Sequence, residues 1–175
     1  MLKTLKCSHI IGFIFTVAAG SLLHFVYDWS GNNPIVAGFS PVNESTWEHL
    51  KLLFFPVLLY SIVQFILIGH RYKNYSLAMF LGTLAGMAFI VAFFYTYTGI
   101  IGKNYMVVDI LTFVLGALVT YILSFHLIRD SLKCISNNWI GFLLALIFVL
   151  IFVIFTYNPP LIPLFQDPTN QIYGI

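Results

Sequence analysis

Two histidines and several carboxylates stand at spacings that chemistry uses. His24 and Asp28 are four residues apart, so on a helix they share a face. Glu44, Glu48 and His49 fall within six residues. Asp109 stands alone in an apolar stretch, where an acid is costly to bury. Imidazole and carboxylate are ligand types for zinc, manganese and iron. His24, Asp28, Glu44, His49 and Asp109 are therefore the candidate ligands of a divalent metal such as zinc. Glu48 is the candidate general base beside it. No established catalytic motif accompanies them: there is no His-Glu-x-x-His, no Gly-x-Ser-x-Gly and no P-loop.

Each residue also has an ordinary structural use. Ser45-x-x-Glu48 reads as a capping box, in which the side chains satisfy backbone N–H groups at a helix start. Glu44 and Glu48 near that start gain roughly 0.3–1 kcal/mol each from the helix dipole. His24 and Asp28 can bond to each other at a helix end, and His49 can lie at the interface under Trp47. Asp109 has Asn104 and Tyr105 as nearby partners. Asp167 reads as a solvated tail residue and His70 and His126 as cations at helix ends, and His9 is set aside as a functional candidate.

The elements that must position these groups follow from composition. Of 175 residues, 60% are apolar and 8% charged, against about 25% charged in soluble domains. Mean hydropathy is +0.94. Eight basic and six acidic residues cannot coat a water-facing surface of this size. A soluble enzyme, a disordered chain and a nucleic-acid binder are excluded. Cys7 and Cys134 are the only cysteines, too few for a disulfide framework or a Cys-rich zinc module. The fold class is an all-α integral membrane bundle.

A span takes about 20 apolar residues. Five stretches qualify: His9–Tyr27, Trp47–Ile68, Ser76–Tyr97, Tyr105–Leu127 and Trp139–Tyr157. The first reads as a retained signal anchor, because its apolar run continues past Ala18-Ala19-Gly20. Residues 1–157 thus form a five-span bundle with an outer loop at 28–46, and 158–175 form a Pro-rich tail. Lys3, Lys6, Arg71, Lys73, Arg129 and Lys133 fall on one side, and only Lys51 and Lys103 on the other. The positive-inside rule then sets the N-terminus in and the C-terminus out, in the cytoplasmic membrane.

Helical periodicity sorts the faces. Gly20, His24 and Asp28 share one in the first span, and His49, Pro56, Tyr60 and Gln64 one in the second. Asp109, Thr112, Gly116 and Thr120 line one in the fourth. Polar faces turned to lipid are costly, so the three should meet around a cavity open to the outside. That cavity is expected to hold His24, Asp28, Glu44, Glu48, His49 and Asp109. Ala78, Gly82 and Gly86 give the third span a small-residue surface for close packing, and the fifth span should face mainly lipid.

The most distinctive segment is Phe39–Lys51 (FSPVNESTWEHLK), preceded by His24–Asp28 (HFVYD). Over Ser21–Tyr60, and in a Pro-rich end such as Pro163–Asp167, the chain resembles a family of small bacterial multispan membrane proteins known as a domain of unknown function. The resemblance implies several spans and no assigned activity, and it carries over no catalytic residues.

Three functional classes stay open at this point. One is a membrane-embedded enzyme or ligand-binding protein with an outward metal site and a polar or amphiphilic ligand. Another is a small transporter or its substrate-binding membrane subunit. The size resembles that of energy-coupling-factor vitamin transporter components, which have six spans and an Ala-x-x-x-Ala first helix that this chain lacks. The last is a structural or accessory subunit. The lipid bilayer is the partner common to all three.

Overall fold

Long runs of Leu, Ile, Val and Phe leave the backbone one way to satisfy its polar groups inside a bilayer, which is the helix. The computed structural model describes residues 2–130 and 137–175 and is all-helical apart from turns and one isolated β-bridge. Five helices are long and apolar enough to cross a membrane. They are α1 (Leu2–Trp29), α3 (Thr46–Leu67), α4 (Tyr75–Ile101), α5 (Met106–Arg129) and α6 (Asn138–Tyr157). A single short turn, α2 (Pro34–Ala37), interrupts the loop between α1 and α3. The chain is a multi-pass integral membrane protein.

α1 starts seven residues before the expected first span, at Leu2 rather than His9. Nothing in residues 2–11 breaks a helix, so it runs on past the apolar segment to the exposed Lys3 and Lys6. At 1.5 Å per residue α1 is about 42 Å long, against a hydrocarbon core of about 30 Å, so its ends reach the headgroups. Pro56 lies inside α3 without ending it. Lys133 and Cys134 lie outside the described residues.

α1, α3, α4 and α5 form a four-membered ring, and α6 packs outside it on α4. The α4–α5 contact uses the expected small residues. A Cβ on Gly82 would lie 2.6 Å from the Thr120 carbonyl oxygen, and one on Gly86 would lie 2.5 Å from that of Gly116. Only glycine permits that approach. α6 is not wholly lipid-facing. Phe152 is fully buried, and its ring stands 4.7 Å from Trp47 and 5.1 Å from Phe54. Leu143, Leu146 and Leu150, on the other side of α6, are exposed.

One face of the bundle gathers the α1–α3 loop, the α4–α5 turn and the tail. Phe165 anchors the tail with its ring 4.8 Å from Trp47. Asn43 Nδ2 donates to the Gly174 carbonyl at 2.9 Å, and the Asp167 N–H donates to Ile172 at 2.9 Å. This loop face carries the candidate site.

Candidate metal centre and its cavity

Ser45 caps α3 with its Oγ accepting from the Glu48 N–H at 3.3 Å, which is the first half of the expected capping box. Asn43 Oδ1 takes the Ser45 N–H at 2.9 Å and tightens the turn ahead of it. This turn fixes Glu44 just before the helix and His49 one turn into it. α1 runs beside α3 and brings His24 to the same point. His24 Nε2 lies 3.2 Å from His49 Nε2 and 3.8 Å from Glu44 Oε1. His49 Nε2 lies 3.4 Å from Glu44 Oε2.

Those separations suit a metal. A tetrahedral zinc with bonds of roughly 2.0–2.1 Å holds its ligand atoms about 3.3–3.4 Å apart. Among the described residues, His24, Glu44 and His49 form the one group of three or more such side chains whose ligand atoms all lie within 4.8 Å of one another. The second sphere is in place for His49. A carbonyl only accepts, so the 3.0 Å contact of His49 Nδ1 with the Ser45 carbonyl puts the proton on Nδ1. The Nε2 lone pair is then aimed at His24 and Glu44, the orientation that metal-bound histidines adopt. All three side chains are partly open to solvent, which leaves an entry path.

The other expected residues lie elsewhere. Asp28 is exposed at the end of α1, one turn beyond His24, and is not part of the trio. Glu48 is corrected from an open general base to a sealed structural group. It is 2% exposed and pairs with the fully buried Lys51 at 2.5 Å. Its carboxylate also accepts the Val42 N–H at 3.0 Å and the Thr156 hydroxyl at 3.1 Å. Lys51 Nζ further donates to the Ala37 carbonyl at 2.8 Å and to Thr156 Oγ1 at 2.6 Å. At 100° per residue, Glu48 and His49 diverge, so one faces the α2 loop and α6 while the other faces α1.

Asp109 stands apart from the trio but shares its cavity. A hollow of about 350 Å³ has Glu44, His49 and Asp109 at its mouth, and Leu52, Ile90, Phe94 and Phe113 deeper in. The Tyr97 hydroxyl and the Asn104 amide, the latter at 3.1 Å, both donate to the Asp109 carboxylate. Of the rest of the α5 polar stripe, Thr112 lines the same cavity and the deeper members are packing. Thr120 and Ser124 are fully buried, with their hydroxyls turned back on their own helix carbonyls.

Asp167 is not solvated as the tail composition suggests. It is 3% exposed, and its Oδ2 accepts the Glu44 N–H at 3.4 Å while Oδ1 takes the Thr169 N–H at 2.7 Å. Burial disfavours its charge, but the Thr169 hydroxyl and N–H and the Glu44 N–H outweigh it and hold the carboxyl below the ordinary range. Pro168 and Thr169 line the cavity mouth, so the tail is part of the site.

Sequence reasoning also missed a polar cluster at the opposite face. Tyr75 donates to Gln64 Oε1 at 2.7 Å, Gln64 Nε2 donates to Ser8 Oγ at 2.8 Å, and His9 Nδ1 lies 3.1 Å from Gln64 Nε2. Gln64 shares a face with His49, Pro56 and Tyr60, but nothing local paired it with Ser8, His9 or Tyr75 across α1, α3 and α4.

No curated protein and no solved structure matches the chain. The model of a family of unknown function, DUF6512, matches residues 2–175, the segment that carries all five spans, the His/Glu trio and the tail. The chain belongs to that family.

Proposed function

We propose that this protein holds a divalent metal such as zinc between His24, Glu44 and His49, at the outward mouth of a membrane-embedded cavity. The observation that carries the reading is that one ligand atom from each side chain lies within 4.8 Å of the other two, with the imidazole Nε2 atoms 3.2 Å apart and a Glu44 oxygen 3.4 Å from His49, near the edge length of a tetrahedral site. Two imidazoles and one carboxylate leave a coordination position open, as catalytic zinc sites do. A metal there binds and polarises an oxygen of a polar or amphiphilic ligand that enters the cavity, or activates a water against it. The outward orientation, in the cytoplasmic membrane, is supported by Lys3, Lys6, Arg71, Lys73 and Arg129 at the opposite face.

Elemental analysis tests the site directly. Protein equilibrated with zinc and then desalted at pH 7.5 should carry about one zinc per chain, and His24→Ala, His49→Ala or Glu44→Gln should carry none. Glu48→Gln, outside the trio, should keep it. Occupancy should fall as pH drops from about 6.5 toward 5, because ligation needs neutral imidazole. Zinc retained by His49→Ala would overturn the assignment.

A further inference from the structure

Charge at the cavity mouth selects a ligand class. Asp109 receives hydrogen bonds from Tyr97 and Asn104, both neutral donors, so its negative charge is not cancelled locally. Among the described residues, no Lys or Arg lines the cavity. The Lys51 ammonium is sealed against Glu48, and Lys103 lies over the Tyr105 ring, 4.9 Å from its centroid. Over the side chains that line the cavity, the two positive charges of a divalent metal on the trio meet one carboxylate from Glu44 and one from Asp109, while the Asp167 carboxylate is taken up by the Thr169 and Glu44 N–H groups outside that lining. The sum is zero, so a neutral head group keeps the cavity balanced, whereas a charged one leaves it unbalanced.

The mouth offers complementary roles to that head group. The open metal position accepts an oxygen lone pair. The Asp109 carboxylate has acceptor sites beyond those used by Tyr97 and Asn104, and takes an O–H or N–H donor. Below them the walls are Leu52, Ile90, Phe94 and Phe113, with no charged group among them. Ile90 lies seven residues from Tyr97 on α4, about 10 Å deeper by helical rise.

We infer that the cavity binds a neutral, hydroxyl-headed single-chain amphiphile, with one hydroxyl oxygen on the metal and another hydroxyl donating to Asp109. The hydrocarbon chain lies among Leu52, Ile90, Phe94 and Phe113. The inference rests on the metal reading, and Asp109 is its own distinguishing residue, since it belongs to no ligand set in this structure.

The test uses the full chain in lipid nanodiscs, with zinc content measured on each sample before ligand is added. The probes are 1-O-dodecylglycerol, dodecanoate, dodecylammonium and glycerol, and binding is read by native mass spectrometry. With zinc loaded, dodecylglycerol should bind at least about tenfold more tightly than either charged analogue, and glycerol should not bind. Asp109→Asn should keep its zinc yet weaken dodecylglycerol about tenfold, the size expected for a hydrogen bond to a charged group. It should also narrow the gap to dodecanoate. Should that variant fail to fold, the wild-type series with and without zinc still decides, because removing zinc should weaken the diol about tenfold and turn the preference toward dodecylammonium. Zinc bound with no preference for the diol, or equal diol binding in Asp109→Asn, overturns this inference and spares the metal site. Failure to bind zinc at all overturns both.

Discussion

Glu44 and Glu48 sit four residues apart at one helix start and live in opposite settings. The Glu44 side chain is 53% exposed and faces two imidazoles that are each about one-third exposed. Glu48 is 2% exposed and faces an ammonium that is fully buried. The Glu48–Lys51 pair has its hydrogen-bonding capacity filled by Thr156, Val42 and Ala37, so it ties the α2 loop, α3 and α6 together. Among the described residues, the side chains of the Glu44 trio have one fixed outer partner, the Ser45 carbonyl under His49. A saturated pair resists change, whereas an unsaturated set is free to accept something from solution. The difference separates architecture from chemistry within six residues.

The strongest way to break the comparison is to strand the buried charge. Lys51→Met should cost about 3–5 kcal/mol, because removing one partner of a buried pair leaves the other uncompensated. A thermal melt in detergent should show it, and Glu48→Gln combined with Lys51→Met should recover most of the loss. Next, zinc at a hundredfold excess over its Kd should stabilise the wild type by about 2.7 kcal/mol and His49→Ala by nothing. A smaller effect comes from acid. The folded Asp167 carboxyl lies below its unfolded value near 3.8, so its stabilisation is complete above that pH and is lost as pH falls through the lowered folded value. Amide protection in residues 165–174, measured against intrinsic exchange rates, should therefore fall below about pH 4. The smallest effect sharpens the contrast most. Without metal, His24→Ala should change stability by no more than about 0.5 kcal/mol, as for a partly exposed group away from the core.

The five spans were legible because long apolar runs admit few other structures, and the spacing of Gly82 and Gly86 announced a close-packing surface on α4, though not that α5 is its partner. The meeting of His24 with His49 was legible too, since each lies on the polar face of its span. The fate of Glu48 was not, although a signal existed: neighbours on a helix point 100° apart, so Glu48 and His49 could not both face α1. Asp109 found Tyr97 across the α4–α5 turn, and Asp167 found Glu44 at a separation of 123 residues. Periodicity describes one helix at a time and carries no information about such tertiary partners.

The tail has a consequence for how the protein is made. Glu44 lies near the start of the chain, but the carboxylate that takes its N–H belongs to Asp167, beyond the fifth span. Pro168 and Thr169 complete the rim from the same late segment. During synthesis all five spans emerge before this segment does. A chain ending at Tyr157 would therefore have His24, Glu44 and His49 on its helices but would lack Asp167, Pro168 and Thr169 at the rim. Completion of the rim coincides with the tail's arrival at the face of the bundle that carries the α1–α3 loop.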